Sequence, residues 1–575
     1  MAVVQQVVDL VDILARHGLT HAVVCPGSRS AAITLSFART NSIKTVVSID
    51  ERTAGFIALG LALELRKPVA LVCTSGTAAY NFAPAVAEAF FQQIPLLVIT
   101  ADRPPEWVHQ QDGQTIYQGG MFGGHVKKSF TFPVDTVHSD SSWFANRISN
   151  DAFLTAAAIP AGPVHINVPV REPFYPEEGE RLVPGRNRLI ESLAPLPALS
   201  VQNWHRLQDE WDEAEKILIA GGQGQFSADL VRTLAQITEE WEVPVLGDVT
   251  ANLGNHPDFI SMQDVFLDES AEDSLVPDLL VTFGQSFLSK KFKAFLRRHP
   301  SVQHWHIGIE THLVDAFQSL TLRIPLSPDI FFSKMLEDID YKRFVEKDEM
   351  HDDSYKQKWL TKERLAARVV NEQINGNLTL LNDLTVVQKV LSELPEDVTL
   401  HFGNSMPVRY ANLLRRLGLV QAVWANRGTS GIDGCVSTAI GAAMATGKPV
   451  CLVVGDVTFL YDRNGFLIDD FPANLKVVVL NNGGGNIFRL IDGPRRQPEL
   501  TRFFETGHRH TAESTAKDAG LPYFAVTDVG ELSGSLSNFI KTEGPAILEV
   551  FTVPEENARL ARERAERFSQ ARQHP

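Results

Sequence analysis

At 575 residues the chain is too long for one hydrophobic core and is expected to divide into about three or four domains. Its 44% apolar and 21% charged residues are ordinary for a globular protein, and no run approaches the ~20 apolar residues that span a bilayer. A net charge of −16 argues against a nucleic-acid-binding face, while leaving room for a local arginine cluster that receives small anions.

The N-terminal MAVVQQVVDLVDILARHG is amphipathic and acidic and has neither the basic start nor the cleavage site of a signal peptide, so a cytoplasmic protein is expected. Strands are expected at 21–26, 45–49, 69–74, 96–100 and 164–169, with helices over Glu51–Arg66 and Thr77–Phe91 between them. Apolar strand runs separated by helices predict a parallel sheet covered on both faces. The Pro/Leu-rich stretch 191–200 reads as a linker. A second α/β unit follows over 201–345, with strands at 217–222, 243–248, 279–284 and 305–309. The charged segment 346–379 reads as a helical connector, and a third unit over 380–575 has strands at 399–403, 422–426, 449–456, 475–482 and 546–551. A TSG turn before a small-residue helix occurs at 74–76 and again at 429–431, which suits two related domains (1–190 and 380–575) flanking a third. The expected fold class is therefore α/β, with three doubly wound parallel-sheet domains. Cys25, Cys73, Cys435 and Cys451 form no CxxC pair and are expected to be buried, reduced thiols.

The strongest local signal is VCLVVGDVTFLYDRNGFLIDDFPANLKVVVLNNGGGN, residues 450–486. One buried strand ends at Gly455-Asp456 and the next at Asn481-Asn482, so a strand–helix–strand crossover carries both ends to the same carboxyl edge. A carboxylate and a carboxamide oxygen are hard ligands that suit Mg²⁺ or Ca²⁺, which takes its remaining ligands from water and phosphate.

This pairing resembles the motif of the thiamine diphosphate-dependent enzymes, which begins GDG and ends NN, with Val457 standing here in place of the last glycine. The resemblance implies that Asp456, the Asn482 side chain and the Gly484 carbonyl hold Mg²⁺, with Mn²⁺ able to substitute, against the diphosphate. It places Ser405, Ile432, Gly455, Val457, Asn486 and Ile487 beside the cofactor, Ile432 as the apolar wedge that bends it. It assigns 1–190 to the pyrimidine end and 380–575 to the diphosphate end. Glu51, in VVSIDERTAGFIALGLAL, matches the catalytic acid that shares a proton with the pyrimidine ring bound by another subunit. Its place before an apolar helix suggests burial, while Asp50 or Glu51 also suits a helix N-terminus.

Four further motifs, CPGSRS, TADRPPE, GNSMPVR and ANRGTSGIDG, each put an arginine at or after a strand end: Arg29, Arg103, Arg409 and Arg427. Such a set would be self-repelling without bound anions and suggests two polycarboxylate substrates. Together with DERTAGFIALGLA, SGTA and NNGGGNIF, these motifs closely resemble the menaquinone-biosynthetic synthases that decarboxylate 2-oxoglutarate and add its succinyl unit to isochorismate. By that resemblance Ser405, Arg409 and Arg427 serve the ketoacid and carboxylate ends, and Ser28, Arg29, Arg103 and Gln114 contact isochorismate. Lys290 and Lys291 form a basic pair, and Ile487, Phe488 and Ile491 lie beside the reacting carbons. The active sites of such enzymes lie between subunits, which implies a homodimer or homotetramer.

Overall fold

The computed structural model describes residues 5–135, 137–172, 175–193, 197–254, 256–268, 271–310, 312–338, 354–376, 380–414 and 422–573. Their strands form three sheets of six, parallel at every pairing. In the first, β1 (His21–Val24), β2 (Lys44–Val47), β3 (Val69–Cys73), β4 (Leu96–Asp102), β5 (Lys128–Thr131) and β6 (Val164–Pro169) take the order β2-β1-β3-β4-β6-β5. The second contains β7 (Ile217–Gly221), β8 (Val245–Gly247), β9 (Phe259–Ile260), β10 (Leu279–Phe283), β11 (Gln303–Ile307) and β12 (Leu320–Ile324), ordered β12-β11-β10-β7-β8-β9. The third contains β13 (Thr399–Phe402), β14 (Val423–Trp424), β15 (Val450–Gly455), β16 (Leu475–Asn481), β17 (Tyr523–Val526) and β18 (Ala546–Phe551), ordered β14-β13-β15-β16-β18-β17.

The α/β class with three parallel sheets is thus as expected, and the order of the third sheet repeats that of the first. The second sheet is the doubly wound dinucleotide-fold order, read from its other end. Central strands such as β3, β4, β7 and β10 are buried along their whole length, as helices on both faces require. Four strands were not foreseen: β5, β9, β12 and β17. Each lies at a sheet edge, and in three of them only one residue is buried, where a central strand is buried throughout.

The helix expected over Thr77–Phe91 is two helices, Thr77–Asn81 and Ala83–Phe91, with proline in the first turn of the second. Of the expected connector, the helix Tyr355–Gly376 and Ser354 before it are described, and 346–353 and 377–379 lie outside the described residues. The stretch 191–200 is irregular where described, and 194–196 lies outside the description. All four cysteines are free and buried. No described helix is long and apolar enough to cross a membrane.

The first and third sheets meet through two helices, Glu51–Leu65 and Cys435–Ala445. Each follows the second strand of its sheet and precedes the third. A Cβ on Gly60 would collide with the Thr438 carbonyl, and one on Gly441 with the Ile57 carbonyl. The two backbones touch where side chains are missing, which explains small residues at positions that must otherwise be apolar.

Candidate functional site

In the third sheet the chain leaves β13 in opposite directions toward β14 and β15, so the crevice at the carboxyl ends of β13 and β15 is the expected ligand position. The loop after β13 brings Ser405, that after β14 brings Arg427, that after β15 brings Asp456, and that after β16 brings Asn482. The four turns that carry these candidate residues are therefore adjacent in space because their strands are adjacent in the sheet.

Asp456 opens the helix Asp456–Tyr461 and is buried, 3% exposed. Its Oδ1 accepts from the Val457 amide at 2.7 Å, and its Oδ2 from the amides of Asn482 at 3.1 Å and Gly484 at 3.0 Å. Burial pushes its carboxyl up to about 7, against the pull of these amides. Val457 has none of the positive φ that favours glycine, so its backbone conformation is open to valine.

The Asn482 amide nitrogen donates to Asp383 Oδ2 at 3.0 Å. Asp383 is itself fully buried, its pKa raised by that burial, and also accepts from Thr552 Oγ1 at 2.5 Å. This fixes the amide so that Asn482 Oδ1 is left buried without a partner. Gly484 adopts φ +154°, and a Cβ there would sit 2.6 Å from the Glu505 carbonyl, so only glycine fits; its carbonyl accepts from the Asn486 amide at 3.0 Å. A buried carboxylate with a raised pKa beside an orphaned carboxamide oxygen is a donor set that a hard cation would satisfy. The residues fit the metal–diphosphate group that the resemblance implies.

Ser405 has φ +76°, sparsely allowed for a side-chain-bearing residue, and its carbonyl accepts from Arg409 Nη1 at 2.7 Å. Asn404, buried, donates to the carbonyls of Asn426 at 2.6 Å and Gly431 at 2.7 Å while its Oδ1 accepts from Arg427 Nη1 at 3.1 Å. It ties the Ser405 turn to the loop that presents Arg427 and Ile432. Burial draws both guanidinium pKa values down, and for Arg427 the neighbouring Arg409 charge adds to this. Arg427 Nε is buried without a partner. Ile432, Ile487 and Phe488 are half-buried, Asn486 is buried, and Ile491 is exposed.

The middle sheet faces this pair with the buried Asp248, pushed up to about 7 by burial and then by Asp264. Lys290 and Lys291 are largely exposed side chains at the start of the helix Lys290–Arg297, but burial of its charged end lowers the Lys291 pKa against the opposing charges of Asp264 and Asp268. A third lysine of this run, Lys293, is half-buried. It donates to the Phe287 carbonyl at 3.0 Å, and burial lowers its pKa against the opposing charge of Asp248.

The first sheet's residues lie at its own carboxyl edge. Asp50 caps the helix Glu51–Leu65, accepting from the amides of Arg52 at 2.9 Å and Thr53 at 3.3 Å, so Glu51 is not needed as a cap. Glu51 is half-buried rather than enclosed, with Asn81 Nδ2 at 3.4 Å, so the expected burial is not completed by the chain's own described residues. Arg29 is buried against the Val170 carbonyl at 3.1 Å and Glu172 at 3.3 Å, and Arg103 faces Asp112 at 3.2 Å and the Gly113 carbonyl at 3.1 Å. These carboxylates relieve part of the repulsion expected of four bare arginines. Ser28 and Gln114 are exposed, Ser28 with Tyr175 Oη at 3.5 Å and Gln114 at φ +57°. The buried Gln118, also unforeseen, accepts from the Gly76 amide at 2.8 Å and donates to the Ala101 carbonyl at 3.0 Å.

The family model for the N-terminal TPP-binding domain of thiamine pyrophosphate enzymes matches residues 7–121, and that for their C-terminal TPP-binding domain matches 406–550. The chain is 40% identical to a 2-succinyl-5-enolpyruvyl-6-hydroxy-3-cyclohexene-1-carboxylate synthase of Cytophaga hutchinsonii, over 93% of this chain and 94% of that protein. Proteins of the same name from Desulfotalea psychrophila and Bacteroides fragilis are 35% and 34% identical, covering 96% and 97% of this chain and 98% of each relative.

Proposed function

We propose an assignment of roles that proceeds from one premise: the chain belongs to the thiamine diphosphate-dependent 2-succinyl-5-enolpyruvyl-6-hydroxy-3-cyclohexene-1-carboxylate synthase family. It is a transferase of menaquinone biosynthesis that uses thiamine diphosphate. Its substrates in our reading are 2-oxoglutarate and isochorismate, its metal is Mg²⁺ with Mn²⁺ as substitute, and its compartment is the cytoplasm. Its working form is a homodimer or homotetramer. The unit 1–190 serves the pyrimidine end of the cofactor and 380–575 the diphosphate end, with 201–345 between them and 346–379 as connector.

When bound, thiamine diphosphate supplies the nucleophilic carbon and the electron sink. Asp456, Asn482 and the Gly484 carbonyl would hold the metal, and Gly455, Val457 and Asn486 would shape the turns around the diphosphate. Ile432 and Ile487 would supply apolar contact to the cofactor's rings. Glu51 holds a proton at the pyrimidine ring of a neighbouring subunit's cofactor, where subunit contact supplies the enclosure that the single chain lacks.

Arg409 and Arg427 receive carboxylates of the ketoacid, with Ser405 beside them. Ser28, Arg29, Arg103 and Gln114 receive isochorismate, with Lys290 and Lys291 adding positive potential at the entrance. Ile487, Phe488 and Ile491 would line the space beside the reacting carbons with apolar surface and disfavour water there.

The observation that carries this reading is the orphaned, buried Asn482 Oδ1 beside the proton-hungry Asp456 at the switch point, with two adjoining half-buried arginines. Turnover with 2-oxoglutarate, isochorismate, thiamine diphosphate and Mg²⁺, followed by mass spectrometry of the product, tests it. The expected product is 2-succinyl-5-enolpyruvyl-6-hydroxy-3-cyclohexene-1-carboxylate with release of CO2. Preference for pyruvate over 2-oxoglutarate would replace it with an acetohydroxyacid-synthase-like reading.

A further inference from the structure

Glu88 is the one acid in the otherwise apolar helix Ala83–Phe91 of the first unit, and it is 1% exposed. A buried carboxylate needs donors, and Glu88 finds them in the third unit. Its Oε1 accepts from the Gly428 amide at 2.8 Å, and its Oε2 from the Thr429 amide at 2.6 Å and Thr429 Oγ1 at 2.5 Å. Gln92, one turn on, donates its side-chain amide to the same Oε1. Gly428 has no room for a side chain, since a Cβ there would lie 2.7 Å from the Glu88 carbonyl.

The middle unit grips the same loop. Gln223 Nε2 lies 3.0 Å from Gln92 Oε1 and 3.2 Å from the Ala425 carbonyl, and Ser286 Oγ donates to the Arg427 carbonyl at 3.1 Å. Five consecutive positions between β14 and the helix Cys435–Ala445, Ala425, Asn426, Arg427, Gly428 and Thr429, thus bond to this network or to Asn404, through groups from every unit of the chain. The loop between Trp424 and Cys435 presents Arg427, and residue 432 at its far end is the wedge.

We infer that Glu88, with Gln92, Gln223 and Ser286 behind it, is a positioning residue for substrate: it sets where the Arg427 guanidinium stands by fixing the backbone on which Arg427 is carried. The inference rests on the reading that Arg427 receives a carboxylate of 2-oxoglutarate. Charge-assisted acceptance from two successive amides is the strong form of such a clamp, and a carboxamide of the same shape cannot reproduce it. Glu88→Gln points an N–H at an N–H and releases one end of the loop.

The test is steady-state kinetics of the assembled enzyme with saturating thiamine diphosphate and Mg²⁺, on Glu88→Gln, Thr429→Val and Arg427→Gln. Glu88→Gln is expected to raise KM for 2-oxoglutarate about tenfold, the scale of one unsatisfied buried group, with kcat falling much less. Thr429→Val removes only the hydroxyl donor on the exposed side of the loop, and is expected to move KM in the same direction by about twofold to threefold; it serves if Glu88→Gln does not fold. Arg427→Gln raising KM while both of the others leave it unchanged would overturn the inference and keep the reading of Arg427. Arg427→Gln without effect on KM would overturn that reading instead. In that case hydrogen exchange decides the clamp, whose loss speeds exchange at Gly428 and Thr429 in Glu88→Gln; unaltered exchange would overturn it.

Discussion

The first and third sheets can be compared residue by residue, because the same bonds fix the same register in both. The Cys25 amide donates to the Val72 carbonyl as the Gly403 amide donates to the Val453 carbonyl. Counting onward, Ser75 corresponds to Asp456. Across the next strand pair Val72 lies opposite Ile99 and Val453 opposite Val478, so Arg103 corresponds to Asn482. The two positions proposed to hold a cation in the third sheet, Asp456 and Asn482, are a hydroxyl and an arginine in the first, and an arginine there would supply a positive charge itself.

One step further out, Asp102 on β4 accepts from Asn167 on β6 at 2.7 Å. In the third sheet Asn481 on β16 donates to Glu549 on β18, also at 2.7 Å. Register makes these the same pair with acid and amide exchanged between strands. The framework thus tolerates either sign at its carboxyl edge, and function is decided by which side chains are hung there.

That comparison can be broken most severely at Glu51. Glu51→Gln is expected to lower turnover by ~10²–10⁴ while calorimetry still finds thiamine diphosphate bound, the signature of a lost proton-transfer group. Unchanged turnover would remove the first sheet's edge from the chemistry. Asp456→Ala is expected to weaken Mg²⁺-dependent cofactor binding by ~10–100-fold, whereas Ser75→Ala at the corresponding position leaves Mg²⁺ affinity as it was. Equal losses in both would show that the two edges are not divided as the register indicates.

A smaller effect is expected at the helix crossing. Gly441→Ala inserts a methyl group against the Ile57 carbonyl and should cost about 1–3 kcal/mol in unfolding free energy, read from denaturant midpoints. The smallest concerns pH. Burial lowers His165 of the first sheet to about 4. A histidine depressed on folding leaves the unfolded chain binding more protons between its two pKa values. Stability is then present above about pH 6.5 and lost as pH falls toward 4, by at most about 1.4 kcal/mol per pH unit. His165→Gln should flatten this acid limb in thermal melts, and an unaltered limb would assign it to other groups.

The legible part of the fold was its interior. β3, β4, β10 and β15 advertise themselves because both of their faces are covered, so every residue is under the same pressure to be apolar. β5, β12 and β17 sit at edges with one face partly in water, and their polar residues hide them. Asp456 and Asn482 were readable because a strand end and a short crossover fix their positions locally. Asn404, Gln118 and Lys293 were not, because what gives them a role is a partner on another strand or another unit. Glu88 left a faint mark, a single acid in APAVAEAFF, but only the fold shows that the loop at 428–429 is what it answers.

The reciprocal contact of Gly60 with Thr438 and of Gly441 with Ile57 has the logic of an isologous interface, in which one patch meets a like patch. Here both patches belong to one polypeptide, so the chain carries an approximate dyad within itself. Had its two halves stayed identical, each would present the same edge and the same charge. The dyad persists in the backbone while the side chains have broken it: where one half carries Asp456 and Asn482, the other carries Ser75 and Arg103.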